Sequence, residues 1–252
     1  MSFDVAAEAY DRFMGRFSRL LSQQMADLAG VRAGQRALDV GCGPGALTSV
    51  LVDRLGAASV SAVDPSEPFV EAALARHPGA DVRLAAAEDL PYPAEAFDVA
   101  IAQLVVHFMS NPVGGLVEMA RVTRSGGVVA ACVWDHAGEQ GPLGLFWDAA
   151  RELDPSVKDE SQLAGAREGH LVELFRAAGL REVEGSTVAA DLEMSDFDTW
   201  WEPYTQGVGP AGAYVARLDP PQQDALRERC RARLPTGPFT IAARAWAARG
   251  IA

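Results

Sequence analysis

The chain has 252 residues, and 49% hydrophobic against 22% charged residues exclude wholesale disorder and allow a full core. Its 22 Lys and Arg against 34 Asp and Glu leave a net charge of −12, which argues against a broad basic face for nucleic acid. A small local anion site stays open. No apolar run reaches the ~18 residues of a membrane span, and the N-terminus lacks the basic and apolar regions of a secretory signal. Cys42, Cys132 and Cys230 are scattered and form no CxxC or Cys/His cluster, so neither disulfides nor a metal site is expected, and the cytoplasm is the default compartment. The lone lysine, Lys158, argues against Schiff-base chemistry. No P-loop and no GxSxG elbow occurs, which excludes a Walker-type site and weakens a hydrolase reading.

In chain order, the first 30 residues read as helix. Tyr10, Phe13, Met14, Phe17, Leu20, Leu21, Met25 and Leu28 recur at three- and four-residue spacing, and Gly30 and Gly34 end the run. Residues 36–40 read as a strand, followed by the turn Gly41-Cys42-Gly43-Pro44-Gly45 and a helix carrying Leu47, Val50, Leu51 and Leu55. Residues 59–63 form the second strand, which stops at Asp64, and a helix from Pro65 reaches about Arg76. Strands follow at 81–85 and 97–102, a helix at 112–123, and a fifth strand at 128–134. This alternation predicts right-handed βαβ units and a doubly wound, largely parallel sheet buried on both faces. Further on, the spacing predicts helices over 143–153, 168–178 and 222–234, a sixth strand over 180–190, and a last strand over 239–248.

Ligands of open parallel sheets bind beyond the strands' carboxyl ends, where strand order reverses. The glycine turn ends the first strand and opens a helix, so its backbone can approach a ligand closely and offer free N–H groups. Asp64 ends the second strand 19 residues after Gly45, where a carboxylate can accept both hydroxyls of a ribose. These features predict a nucleoside site. A tight structural turn and a solvated strand end are the plain alternatives. Asp39, just before the turn, would repel a pyrophosphate but can order the loop and meet a cationic ligand. The spacing is GxGxG, whereas the dinucleotide fingerprint is GxGxxG.

Residues 37–45 (ALDVGCGPG), Asp64-Pro65-Ser66, Ala87-Glu88-Asp89-Leu90-Pro91, Phe97-Asp98-Val99 and the turn Arg121–Gly127 occur in one order. Together they resemble the class I S-adenosylmethionine-dependent methyltransferases, in particular the ubiquinone/menaquinone-biosynthesis-like small-molecule group. The resemblance covers residues 36–135. It implies a Rossmann-like seven-stranded α/β sheet whose last strand is antiparallel. It also implies S-adenosylmethionine as cofactor, with S-adenosylhomocysteine as product. On matching positions, Gly41, Cys42 and Gly43 would cradle the methionine and ribose, with Asp39 behind them. Asp64 and Pro65 would stand at the ribose, and Ala86 and Ala87 at the adenine. Gln103 would line the methionine end. Relatives often carry Asp or Asn where this chain has Ala86; Glu88 could compensate. The segment Tyr10–Arg16 matches one that folds over the cofactor, so Tyr10 is a lid candidate and Arg16 a partner for the methionine carboxylate. Both are equally readable as ordinary residues of an amphipathic helix.

Methyl transfer needs an aligned in-line displacement from which water is excluded, and a base only where the acceptor starts protonated. His107, after the fourth strand, is the candidate catalytic base for a hydroxyl or acidic C–H acceptor; His136 is a second, weaker one. Trp134, Trp147, Trp200, Trp201 and Tyr204, with Phe146 and Tyr214, are candidates for an apolar acceptor pocket or, alternatively, for a small helical core. The expectation is therefore one methyltransferase domain over 1–252: a helical lid (1–30), a cofactor core (36–135), and aromatic-rich insertions (136–166 and 191–235) over the acceptor site. It would methylate O, N or C of a small organic molecule, with no nucleic acid, no membrane and no metal, as a monomer or homodimer. A cofactor-binding cyclase or regulator of the same fold is the alternative. A nicotinamide-dependent oxidoreductase fits less well, for the turn spacing and the missing Tyr-x-x-x-Lys pair.

Overall fold

Seven segments assemble into one sheet in the computed structural model, which describes residues 7–252. They are β1 (Ala37–Val40), β2 (Val60–Asp64), β3 (Asp81–Leu84), β4 (Phe97–Gln103), β5 (Thr123–Trp134), β6 (Arg181–Met194) and β7 (Phe239–Ile251). The strand order is β3-β2-β1-β4-β5-β7-β6; β1 to β5 pair in parallel, and β7 runs antiparallel to both neighbours. The chain moves outward from β1 to β3, then returns to the other side of β1 with β4. Order therefore reverses at β1, and the carboxyl ends of β2, β1 and β4 border one crevice.

Strand side chains alternate between faces, so each strand feeds two cores. Ala37, Val99, Ile101, Ala130 and Cys132 enter one core, with α2 (Met14–Leu28) and α3 (Ala46–Leu55). Leu38, Val40, Ala100, Ala102, Val129 and Ala131 enter the other, with α5 (Pro112–Val122) and α7 (His170–Ala177). A third, smaller cluster packs α4 (Glu67–Arg76) on β2 and β3 through Val70, Ala73, Ala62 and Val82. The remaining helices are α1 (Ala7–Arg12), α6 (Gly144–Leu153), α8 (Phe197–Trp201), α9 (Gly209–Arg217) and α10 (Pro220–Arg231).

Several expected boundaries move. The N-terminal helix is two: α1 and α2 part at Phe13 (φ −99°, ψ −96°), and residues 1–6 of the expected helix lie outside the described residues. β5 begins at Thr123 rather than 128, because Thr123 already pairs with Phe97 of β4; after an irregularity that includes Gly126 at φ +77°, the ladder resumes at Val128 opposite Val99. β6 runs on to Met194, since β7 supplies backbone partners as far as Phe239. The second insertion thus starts after Met194, and α8, α9 and α10 come from it.

Candidate active site

The crevice at the strand ends is a cleft of about 430 Å³. Its walls bring together Tyr10, Gly41, Gly43, Asp64, Pro65 and Gln103 of the expected site residues, and add Ser66, Glu67, Phe69, Leu84, Leu104, Val105 and Phe108. Among the described residues no Lys, Arg or His lines it.

The glycine loop is shaped by backbone that other residues rarely adopt. Gly41 (φ +71°), Gly43 (φ +53°) and Gly45 (φ +97°) are all left-handed. The N–H groups of Gly41 and Cys42 both donate to the Val63 carbonyl, at 2.8 and 2.9 Å, which clamps the loop to β2. A Cβ at Gly41 would overlap the Val105 side chain. Gly41→Ala should therefore destabilise the fold by about 2 kcal/mol or more, from strain and overlap together. A thermal melt checks this, and an unchanged midpoint would refute it.

Two buried carboxylates underlie the loop. Asp64 accepts from the Gly43 N–H (2.8 Å, Oδ2) and from the Ser66 N–H (2.9 Å, Oδ1). Burial raises its pKa, against these two bonds. Asp39 points to the α3 face of the sheet and accepts from the Thr48 hydroxyl at 2.6 Å. Burial pushes its carboxyl up to about 7, against the Thr48 bond and with a further push from Asp64. Asp39 does not line the cleft; it acts on it from beneath. The Cys42 side chain likewise turns away, into the small core with Ala62 and Val70.

Tyr10 lies across the loop mouth, with its ring 5.2 Å from that of Phe69 and edge-on to Gly43. Burial raises its phenol to about 12, so it stays neutral. Arg76, which the sequence did not single out, ties this lid to the loop: it pairs with Asp11 of α1 and donates to the Pro44 carbonyl at 2.8 Å. Arg16, by contrast, is turned away, donating to the Glu193 carbonyl at 3.3 Å and lining a separate small cavity. Its helix position puts it on the β6 side.

At the carboxyl end of β4, Gln103 Nε2 donates to the Ser18 carbonyl (3.0 Å) and the Ser22 hydroxyl (3.2 Å). Its buried Oε1 has no partner. Leu104 follows at φ +62°, a left-handed conformation unusual for leucine, held by its N–H to the Cys132 carbonyl at 3.0 Å. At the other end, the expected adenine turn falls short of the cleft. Ala86 is exposed, Ala87 packs in the second core, and Glu88 accepts from the Asn111 N–H (3.1 Å) and the Ser110 hydroxyl (2.9 Å). Those bonds hold its carboxyl low although partial burial opposes them. Leu84, Pro65 and Glu67 form that end instead.

Beside the cleft, and sharing Tyr10, Leu104 and Phe108 with it, is a smaller pocket of about 40 Å³. His107, His136, Trp134 and Glu160 line it. The other expected pocket aromatics do not. Trp147, Trp200, Trp201 and Tyr204 are buried among Phe13, Phe146, Phe197 and Tyr214, with Phe146 and Tyr204 stacked 4.6 Å apart and Trp200 4.8 Å from Tyr204. Their faces are spent on one another, so they form a core that supports the pocket. Trp147 reaches the site only through its Nε1–H, donated to Glu160 at 2.8 Å.

Residues 38–131 match the family described as "Methyltransferase domain". Trans-aconitate 2-methyltransferase of Rhizobium rhizogenes is 37% identical over 110 residues, 43% of this chain and 42% of that protein. Malonyl-(acyl-carrier protein) O-methyltransferase of Erwinia billingiae is 34% identical over 128 residues, 51% of this chain and 50% of that protein. The chain thus spans about half the length of the curated relatives it matches. A solved geranyl diphosphate methyltransferase in complex with S-adenosylmethionine superposes with a TM-score of 0.54 at 14% identity, covering 93% of this chain and 85% of that one; it supports the fold.

Proposed function

We propose, for a chain that belongs to the class I S-adenosylmethionine-dependent methyltransferases, that the cleft holds S-adenosylmethionine and that the chain methylates O, N or C of a small organic molecule. One observation carries this reading most: two buried carboxylates, Asp64 and Asp39, underlie a left-handed glycine loop in a cleft whose wall, among the described residues, holds no cationic side chain. Such a wall suits a cationic nucleoside and disfavours a pyrophosphate.

The residues present fit the cofactor. Each Asp64 oxygen accepts one backbone N–H and keeps lone pairs for a ribose hydroxyl. A Cβ at Gly43 would stand 3.8 Å from the Tyr10 ring, between the loop and its cover, so the missing side chain leaves the backbone there open to a ligand. The orphaned Gln103 Oε1 is an acceptor for an ammonium group. When bound, the sulfonium supplies an activated methyl with a good leaving group. The protein's part is alignment and exclusion of water: Tyr10 covers the loop, Arg76 anchors Tyr10's helix, and Leu104 separates cofactor cleft from acceptor pocket. Where the acceptor begins protonated, His107 is the group we assign to take the proton. In this reading residues 1–252 act as one domain, with 1–30 as lid and the two insertions as cover and core for the acceptor side. It works in the cytoplasm as a monomer or homodimer, without nucleic acid or metal. Among the described residues no helix is long and apolar enough to cross a membrane.

Calorimetry with S-adenosylmethionine, S-adenosylhomocysteine and NAD tests the reading. Binding of the first two and silence from NAD are expected. Tight NAD binding with no response to S-adenosylhomocysteine would overturn it.

A further inference from the structure

The pocket beside the cleft contains two buried ring nitrogens, His107 Nδ1 and His136 Nε2, that have no hydrogen-bond partner. An orphaned buried polar atom carries a desolvation cost, and two on one pocket wall point to something that satisfies them. The imidazole centroids are 5.8 Å apart, close enough for one small polar group to reach both rings. Glu160 lines the same pocket, only 4% exposed, with Oε2 accepting from Trp147. The rest of the wall is mainly apolar, and among the described residues no Lys or Arg lines it.

From this geometry we infer that the pocket receives the uncharged hydroxyl end of a phenol- or enol-type acceptor, hydrogen-bonded to His107 and His136. The inference rests on the cofactor reading above, because it places the acceptor across Leu104 from the cleft.

The donor and acceptor inventory favours a hydroxyl. A neutral imidazole carries one N–H and one lone pair, and which nitrogen holds the proton differs with tautomer. A carboxylate only accepts. It would also lose its hydration without gaining a cationic partner, next to the Glu160 carboxyl. Both histidines are held neutral: burial, with His136 adding, keeps His107 well below its ordinary value, and burial lowers His136 to about 4 against the pull of Asp159 and Asp135. Burial raises Glu160 to about 7, against its Trp147 bond and with a push from Asp159. At about 40 Å³ the pocket takes the hydroxyl and its adjoining carbons. The remainder of the acceptor lies along the shared boundary of Tyr10, Leu104 and Phe108.

The test uses the full chain, labelled with nitrogen-15 in its histidines and saturated with S-adenosylhomocysteine. Phenol and acetate are the probes, and the imidazole nitrogen resonances of His107 and His136 are the readout. Phenol is expected to move both residues' resonances while acetate leaves them in place. His136→Phe is expected to weaken phenol binding about tenfold while S-adenosylhomocysteine affinity stays as in the parent. If that variant does not fold, the parent spectra alone decide. Acetate moving these nitrogens as strongly as phenol would overturn the inference. So would no response to phenol in protein that binds S-adenosylhomocysteine, and that result would leave the cofactor reading standing. Failure to bind S-adenosylhomocysteine at all would instead sink the cofactor reading, and this inference with it.

Discussion

Asp64→Ala should weaken binding of S-adenosylmethionine and S-adenosylhomocysteine by roughly ten- to a hundredfold. The side chain stands at the end of β2 and lines the cleft, with each oxygen already oriented by a backbone N–H. A ribose hydroxyl donating to such a carboxylate makes a charge-assisted bond, worth about 1.5–3 kcal/mol. The substitution also releases the Gly43 and Ser66 N–H groups, so the loop loses part of its fixed shape. Calorimetry on the variant, with a thermal melt to show that it folds, gives the answer. Unchanged affinity in a folded variant would remove Asp64 from the site. Asp64→Asn, which keeps an acceptor oxygen, should fall between the two.

Asp39→Asn should do the opposite to stability and the same to the cofactor. The native carboxyl sits at about 7, above its ordinary value of 3.8. The folded protein therefore binds a proton more tightly than the unfolded chain, and stability falls as pH rises from about 4 through about 7. Over the whole window this corresponds to roughly 4 kcal/mol. Asparagine keeps the volume and the acceptor for the Thr48 hydroxyl but cannot ionise. Its stability advantage over the parent should grow by about 2–3 kcal/mol between about pH 5 and pH 8. Comparing the two proteins at each pH cancels the other titrating groups. Affinity for the cationic S-adenosylmethionine should drop in the same variant, because a negative charge beneath the loop is lost. Denaturant melts at the two pH values check the first part. A variant less stable than the parent at the higher pH would contradict it.

In the proposed function these opposed effects set the cost of a buried carboxylate against its attraction for a cationic ligand. Buried charges at ligand sites commonly cost stability and are compensated when the ligand arrives. Asp39 was legible in the sequence because its position is local: it lies one residue before the end of β1, just ahead of the glycines. The same holds for Gly41, Gly43 and Asp64, whose spacing alone places them around one crevice. The sheet was legible for a related reason. Continuous apolar runs separated by helical patterns leave few arrangements once crossovers are right-handed.

What could not be read came from contacts between distant segments. Arg76 looks like an ordinary residue at a helix end, yet it ties Asp11 to Pro44. Glu160 looks like one more acid in a polar excursion, yet Trp147 holds it inside a pocket with two histidines. Leu104 shows no sequence sign of a left-handed backbone, because leucine does not favour it. The aromatic residues around 200 were legible as a group but not as to purpose: only the stacking of Tyr204 on Phe146 tells that they face one another rather than a ligand. Arg16 shows the converse. Its place in a familiar segment suggested the cofactor, while the break at Phe13 sets the start of α2 so that Arg16 reaches β6.

The most direct test of the account is a crystal structure of this chain with S-adenosylhomocysteine. The account predicts the ribose hydroxyls on the Asp64 carboxylate, the glycine loop wrapped around the sugar and methionine, and the Tyr10 ring closed over them. A nucleoside bound elsewhere, or a fully liganded protein in which Asp64 keeps only its Gly43 and Ser66 partners, would contradict it.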